Sequence, residues 1–471
     1  MLPYVTIWRI GKRSPIFFSV LLGVVLLAAD AGRAQAGPAP AAADSASSVV
    51  ITLDEAIRRA EANEPTFAAF RASSESAALD RSIARASLLP SARFLSQDIY
   101  VQPNSITADS GEGVPLTPNP KFVSADARPW EYISQGIVDE NLSMAGAAAV
   151  RRADAAAAMA RAQLEIAHRG LVAAVTAMFY GSLAADHKLE IAQRGYREAQ
   201  EFTTLTRDRE KKGEAAHADT IKAQLTEQQQ WRSLQDAALA AQAARLDLGV
   251  LLFPDPRTTY TLQESQAEPV LAPLADVEAA AARNNPELKS ALANLGVSNA
   301  EVLGARAALL PSLGFNLAYG IDANQFAANG PLTPGGLQAR NLGYSTTVTV
   351  NLPVWDWLAT EHKVKQSEIR RQAARVALTA TQRQLIASLQ TYYAAALTAQ
   401  KELESLNASV TDAAESLRLT KLRYKGGEAL VIEVVDAQNA YVAAENARED
   451  GRVRNENALA QLQTLTGSMG Q

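Results

Sequence analysis

Along this chain the spacing of apolar residues changes period twice in the same way. Downstream of Pro311, Leu313, Phe315, Leu317, Tyr319 and Ile321 alternate with Gly314, Asn316, Ala318, Gly320 and Asp322. Successive side chains of a strand point to opposite faces, so this pattern predicts a strand with one apolar face. Upstream the pattern is helical and stops at Leu309-Leu310-Pro311-Ser312, and the same string stands at Leu88-Leu89-Pro90-Ser91. Proline lacks an N–H and disfavours helix in the residue before it, so Pro90 and Pro311 predict helix ends. A second proline, Pro65 or Pro286, lies 25 positions before each. One helix-to-strand junction has been written twice.

The rest of the chain follows that duplication. A helix starts at Thr52-Leu53-Asp54-Glu55, where Thr52 and Glu55 fit a capping box. It runs to about Asn63, restarts after Pro65 and continues to Leu89. Strands are predicted at about 92–101, with Leu95, Ile99 and Val101 on one face, and at about 131–142. Between them, residues 102–130 carry five prolines and predict a long exposed loop. From 143 to about 211 helix-compatible sequence is nearly unbroken, with Leu164, Leu171 and Met178 recurring at sevens; at ~1.5 Å per residue this helix is ~100 Å long. It breaks at Lys212-Gly213-Glu214, and a return helix covers about 215–253. A proline-marked connector spans 254–273. The plan then repeats: helices about 274–284 and 287–310, strands about 312–321 and 343–353, a long helix about 354–424, a break at Lys425-Gly426-Gly427-Glu428, and a return helix about 429–467. In that second long helix, positions 385, 389, 392, 396, 399, 403, 406, 410, 413 and 417 form an unbroken coiled-coil seam. The two repeats so drawn are 49–253 and 274–467.

Composition and charge then remove several classes. Arg9, Lys12 and Arg13 precede an apolar run, Ile16 to Ala29, and Ala34-Gln35-Ala36 supplies a small-x-small cleavage pattern. Residues 1–36 therefore predict a removed export signal, followed by a linker over 37–48. No other stretch approaches 18 consecutive strongly apolar residues, so the exported chain is periplasmic or secreted, or spans a membrane by strands. Hydrophobic residues make up 48% but aromatics only 6%, an alanine excess that favours long, closely packed helices over one thick core. A formal charge of −5 with no long basic run argues against nucleic acid as a partner. Four scattered histidines (His168, His187, His217, His362) and no cysteine leave no metal-ligand spacing, thiol nucleophile or cysteine-linked lipid anchor. An enzyme is disfavoured, and no cofactor or metal is expected; His362 and Asp356 are the nearest candidate pair beside the strands.

Two hairpins with one apolar face leave open edges in a single chain, whereas strands in a membrane must close into a barrel. Each predicted strand is about ten residues, the length of a tilted membrane strand. Three chains of four strands would give twelve, enough to enclose water. Leu313, Phe315, Leu317 and Ile321 suit lipid, Gly314, Asn316 and Ala318 suit the lumen, and Trp355 and Trp357 fit an interfacial anchor. The alternative is a soluble periplasmic coiled-coil adaptor, which would need a lipoyl-like or β-sandwich insertion; none is visible.

Over about residues 50–467 the chain resembles the TolC-like outer membrane efflux proteins. The resemblance rests on the duplicated helix–strand–strand–helix plan, the Leu-Leu-Pro-Ser junctions, and Leu422-Arg423-Tyr424-Lys425-Gly426-Gly427-Glu428 before a return helix. It implies an α+β membrane protein: a trimeric twelve-stranded barrel in the outer membrane of a Gram-negative bacterium, continued by an α-helical coiled-coil barrel through the periplasm. Such a homotrimer serves tripartite efflux or type I secretion, meeting a periplasmic adaptor fed by an inner-membrane transporter of RND, ABC or MFS type. Pro90 and Pro311 would mark the passage from helical tunnel to barrel. Asp219, six after Gly213, and Glu433, six after Gly427, would form carboxylate rings at the periplasmic entrance, with Asp436 beside them and Tyr424 in the network holding it shut. The turns Gly213-Glu214-Ala215 and Gly427-Glu428-Ala429 match where the family meets its adaptor. Two positions depart from the family: Ala429 stands where a relative has a gating arginine, and Lys222 is the first-repeat counterpart of Asp436.

Overall fold

The computed structural model describes residues 49–100, 130–264, 271–332 and 335–467. The expected export signal, the linker and all but the last residue of the 102–130 loop lie outside the described residues. In order the elements are β1 (Val49–Ile51), α1 (Leu53–Asn63), α2 (Pro65–Ala86), β2 (Ser91–Tyr100), β3 (Trp130–Leu142), α3 (Met144–Lys211), α4 (His217–Leu252) and β4 (Tyr260–Leu262). There follow α5 (Leu274–Asn284), α6 (Pro286–Ala307), β5 (Ser312–Ala323), β6 (Asn329–Leu332), β7 (Gln338–Arg340), β8 (Leu342–Asn351), α7 (Ala359–Lys425) and α8 (Val431–Thr466).

Local chemistry sets these boundaries. Pro65 and Pro286 open α2 and α6, where a missing N–H costs nothing. The residues before them supply the caps: Glu64 accepts the Phe67 N–H at 2.5 Å, and Asn285 accepts that of Leu288 at 2.8 Å. At the far ends Leu88 and Leu89 donate to the carbonyls of Arg85 and Ala86, and Leu309 and Leu310 to those of Arg306 and Ala307. Each helix thus tightens, meets its proline and leaves as a strand. Helix α3 starts abruptly after β3, with Ser143 Oγ accepting the Gly146 N–H at 3.1 Å. Its counterpart α7 starts five residues later than the sequence predicts. Trp357 and Leu358 sit in the left-handed region, with φ 57° and 63°, and Asp356 Oδ2 takes the Thr360 N–H at 2.8 Å, so the cap falls inside the expected helix.

The strands β2, β3, β5 and β8 form one antiparallel sheet in that order. The register sorts its faces. Phe94, Gly136, Tyr319 and Tyr344 lie side by side, as do Val138, Leu317 and Thr346, and Glu140, Phe315 and Val348. On the opposite face Ser91, Asp139, Asn316 and Thr347 make a polar row, flanked by Arg93 and Ser345. Here one expectation is corrected: Leu95 and Ile99 belong to the polar face, and the apolar face of β2 is that of Phe94 and Tyr100. In this strand Ser96 and Asp98 dilute the apolar face while Leu95 and Ile99 lie on the other, so alternation alone points the wrong way.

Below the sheet the helices build two cores from matching positions. One gathers Ala56, Ala60, Leu171, Val175 and Leu248 around Phe179. The other gathers Val277, Ala281, Leu385, Leu389 and Leu462. Leu171 and Leu385, Val175 and Leu389, and Leu248 and Leu462 are each 214 positions apart; Ala56 and Val277, and Ala60 and Ala281, are 221 apart. The parallel pairing of β1 with β4 closes the first core; three-residue strands carry no period and escaped the sequence. Helix α3, 68 residues long, packs on α2 and α4 from its own half and on α6 and α8 from the other. It therefore buries two stripes, including Leu171, Val172, Val175 and Phe179, while Met178 of the predicted heptad is 40% exposed. In α7 the seam residues Leu385, Leu389, Ala396, Ala399 and Leu417 are buried, and α7 packs mainly on α6 and α8.

Candidate functional site

The two long helices end in the same turn. After Lys211, Gly213 takes φ +78° and the Glu214 N–H returns to the Arg209 carbonyl at 2.8 Å. After Lys425, Gly427 takes φ +82° and the Glu428 N–H returns to the Arg423 carbonyl at 2.9 Å. This six-to-one closure needs a left-handed residue, which glycine supplies without the steric cost of a Cβ. Nothing lies within 4 Å of a Cβ built on either glycine, so conformation rather than space selects the residue. Ala215 and Ala429 follow, and α4 and α8 begin two residues later.

Between the turns a small core ties them together. Tyr424, 5% exposed, packs edge-on against Phe202 with ring centroids 5.1 Å apart, among Ala223, Val431, Val434 and Val435, with Ala429 at its margin. Arg209 lies over the Tyr424 ring at 4.7 Å and donates to the carbonyls of Tyr424 at 2.9 Å and Lys425 at 3.0 Å. One arginine at the end of α3 therefore caps the end of α7. Sequence reasoning singled out Tyr424 and missed Arg209. The available signal was a basic residue in the last turn of a helix, where cations favour the exposed carbonyls.

The expected entrance carboxylates separate into two kinds. Glu433 is engaged locally: it accepts the Leu430 N–H at 3.1 Å and pairs with Arg423 at 3.3 Å. Arg423 also donates to the Glu428 carbonyl at 3.2 Å. Asp219 is half-buried in the first turn of α4, and Asp436 is exposed on α8; among the described residues neither has a salt bridge in the single chain. Nearby, the Glu210 carboxyl is held below its ordinary value by the Thr220 hydroxyl and by His217, 2.7 Å away.

Above the tips, α3 meets α8 through a polar ladder that sequence reasoning also missed. Arg194 pairs with Glu445 at 2.6 Å, Lys188 with Asp450 at 2.5 Å, and His187 with Glu449 at 2.9 Å. Glu449 is 1% exposed. Burial raises its carboxyl pKa, and the hydrogen bonds from His187 and Arg448 more than offset that, leaving it below the ordinary value. At the sheet end Pro90 and Pro311 each stand one residue before a strand. Arg93 and Asn316 converge on Asp139 at 3.0 and 2.6 Å on the polar face. Trp355 and Trp357 are 70% and 83% exposed and meet edge-on at 5.7 Å.

These features define a class: four antiparallel strands with one mainly apolar face and, among the described residues, two open edges, carried on two helices each about 100 Å long. Residues 279–468 match the family profile described as outer membrane efflux protein. The chain is 27% identical over 177 residues to outer membrane protein OprJ of Pseudomonas aeruginosa, covering 38% of this chain and 36% of the relative. It is 26% identical over 197 residues to outer membrane protein TolC of Vibrio cholerae, covering 41% and 42%. The chain thus spans about two fifths of the curated relatives it matches. The fold likeness is wider. The Campylobacter jejuni CmeC outer membrane channel superposes with a TM-score of 0.72 at 16% identity, over 92% of this chain and 90% of that one.

Proposed function

We propose that this protein is the outer-membrane exit channel of a tripartite efflux pump or type I secretion system. The observation that carries this reading is the β2–β3–β5–β8 sheet, with both edges unpaired among the described residues and one mainly apolar face, interrupted by Ser96, Asp98 and Glu140. In hydrocarbon an open edge leaves backbone groups unsatisfied at several kcal/mol each, so the sheet calls for further copies. Three copies bring twelve strands, enough for an aqueous lumen lined by the Asp139–Asn316–Thr347 row. Phe94, Leu313, Phe315, Leu317 and Val350 then face lipid, and Trp355 and Trp357 sit at the membrane boundary. No helix among the described residues is long and apolar enough to cross a membrane, which leaves the strands to do so.

The tips are the periplasmic entrance in this reading, and the paired turns at Gly213 and Gly427 receive the adaptor. Asp219 and Asp436, which have no salt bridge among the described residues, supply the entrance carboxylates; Glu433 contributes through its pair with Arg423. Arg209 and Tyr424 tether α3 to α7 in each subunit. Fractionation followed by gel electrophoresis of unheated and heated samples tests the assembly. A heat-sensitive trimer in the outer membrane fraction is expected, and a soluble monomer would end this reading.

A further inference from the structure

Arg169 is an arginine of α3 that is only 7% exposed. Its Nη1 donates to the Thr464 carbonyl at 3.0 Å, its Nη2 to the Asn284 carbonyl at 3.3 Å, and its Nε to Glu165 at 2.7 Å. One side chain of the first half thus caps the C-terminal ends of two helices of the second half, α8 and α5. Such ends carry orphan carbonyls and partial negative charge, which a guanidinium satisfies. The Asn284 carbonyl is free to accept because the Leu288 N–H has gone to Asn285. Gly467, at φ +75°, lies so close that a Cβ there would come within 2.5 Å of Nη2.

The same parts recur 214 and 221 positions away, but disconnected. Arg383 of α7 stands 214 positions after Arg169. It is exposed and, among the described residues, makes no ion pair or hydrogen bond. Its acceptors recur as well. Val250, 214 before Thr464, lies four residues before Pro254, which has no N–H to offer its carbonyl. Asn63, 221 before Asn284, loses the Phe67 N–H to Glu64. In one chain α7 makes no substantial contact with α1, α2 or α4, so Arg383 and these carbonyls remain apart.

The surrounding faces match in the same way. On α3, Ala162, Val172 and Leu183 are 7%, 3% and 8% exposed; their counterparts on α7, Val376, Ile386 and Leu397, are 61%, 66% and 38% exposed. On α6 Ala300 is buried at 5%, whereas its counterpart on α2, Leu79, is 65% exposed. The chain therefore contains one finished interface between its halves and the two separated sides of a second. We propose that Arg383 of one copy caps the ends of α4 and α1 of a neighbouring copy, at the Val250 and Asn63 carbonyls, as the inter-subunit counterpart of the Arg169 clasp. This rests on the trimer reading and assigns its helical interface. It departs from the template in one respect: Glu165 has Thr379 as its counterpart, so Arg383 has no carboxylate of its own to hold it.

The chain has no cysteine, so cross-linking starts from a clean background. Protein carrying Arg383→Cys and Val250→Cys is purified in detergent and treated with a short bismaleimide. Covalent dimers and trimers are expected on a heated gel, with none from either single variant or from Thr391→Cys paired with Val250→Cys. In parallel, Arg383→Ala lowers the temperature at which the unheated-gel trimer disappears, and Arg383→Lys lowers it less. A trimer of normal heat stability in Arg383→Ala, or one without the 383–250 link, overturns the clasp and leaves the trimer standing. A protein that is monomeric without any substitution overturns both.

Discussion

Arg209→Ala removes the side chain that caps the last carbonyls of α7 from the end of α3, beside the Phe202–Tyr424 contact and the Lys421–Glu198 pair. The loss is two hydrogen bonds from a charged donor, at 2.9 and 3.0 Å, and a stacking contact 4.7 Å from the Tyr424 ring. The Arg209 side chain is 21% exposed, so the hydrogen bonds are taken at the low end of their range, ~1.5 kcal/mol each. The cation–π contact adds about 0.5 kcal/mol. Arg209 therefore contributes roughly 3.5 kcal/mol per subunit to holding the two tips together, enough to change the ratio of joined to separated tips by a few hundredfold. In planar bilayers Arg209→Ala is expected to show a larger single-channel conductance than the unaltered protein. Arg209→Lys, which can reach one carbonyl but cannot stack flat, falls between. Faster protease cleavage at the 213 and 427 turns should accompany the increase. Unchanged conductance together with unchanged cleavage would refute the tether.

Other consequences follow from the buried parts. Phe179 has no exposed surface and packs at 5.5 Å against Tyr180 in the first core. Phe179→Ala should cost about 3–5 kcal/mol, read as a lower melting temperature of the solubilised protein, with Phe179→Leu costing less. The Glu449 carboxyl is depressed below 4.5, so its ionised form is favoured by folding. That contribution is present above the unfolded value and is lost as pH falls through the folded one. Melting temperature should drop more steeply in the unaltered protein than in Glu449→Gln between about pH 5 and about pH 3; parallel curves would exclude the pairing with His187. Asp219→Ala combined with Asp436→Ala should weaken cation preference in bilayers, and an unchanged reversal potential would remove these residues from the entrance.

Much of the architecture was legible because period and punctuation act locally. Proline stops, capping residues and the Lys-Gly-Glu breaks placed the helix ends within a few residues, and the alternation in β5 and β8 identified their faces. The misread parts depend on partners distant in sequence. Leu95 and Ile99 are apolar, yet the register puts them beside Gln135 and Glu131. Met178 keeps the heptad of α3 but points outward, because a helix packed from two sides buries two stripes. Arg169 and Arg209 gave no local signal beyond their charge; what they cap lies more than a hundred positions away. Glu433 was legible as an acid near a turn, but its pairing with Arg423 depends on how two helices close around that turn.

Conductance of the purified, unheated protein in planar bilayers tests the central claim most directly. Discrete single-channel steps from a heat-sensitive trimer, abolished by heating to monomers, are the expected result. A stable trimer that inserts but carries no current, or current that persists from monomers, would contradict the account of three four-stranded staves closing around water.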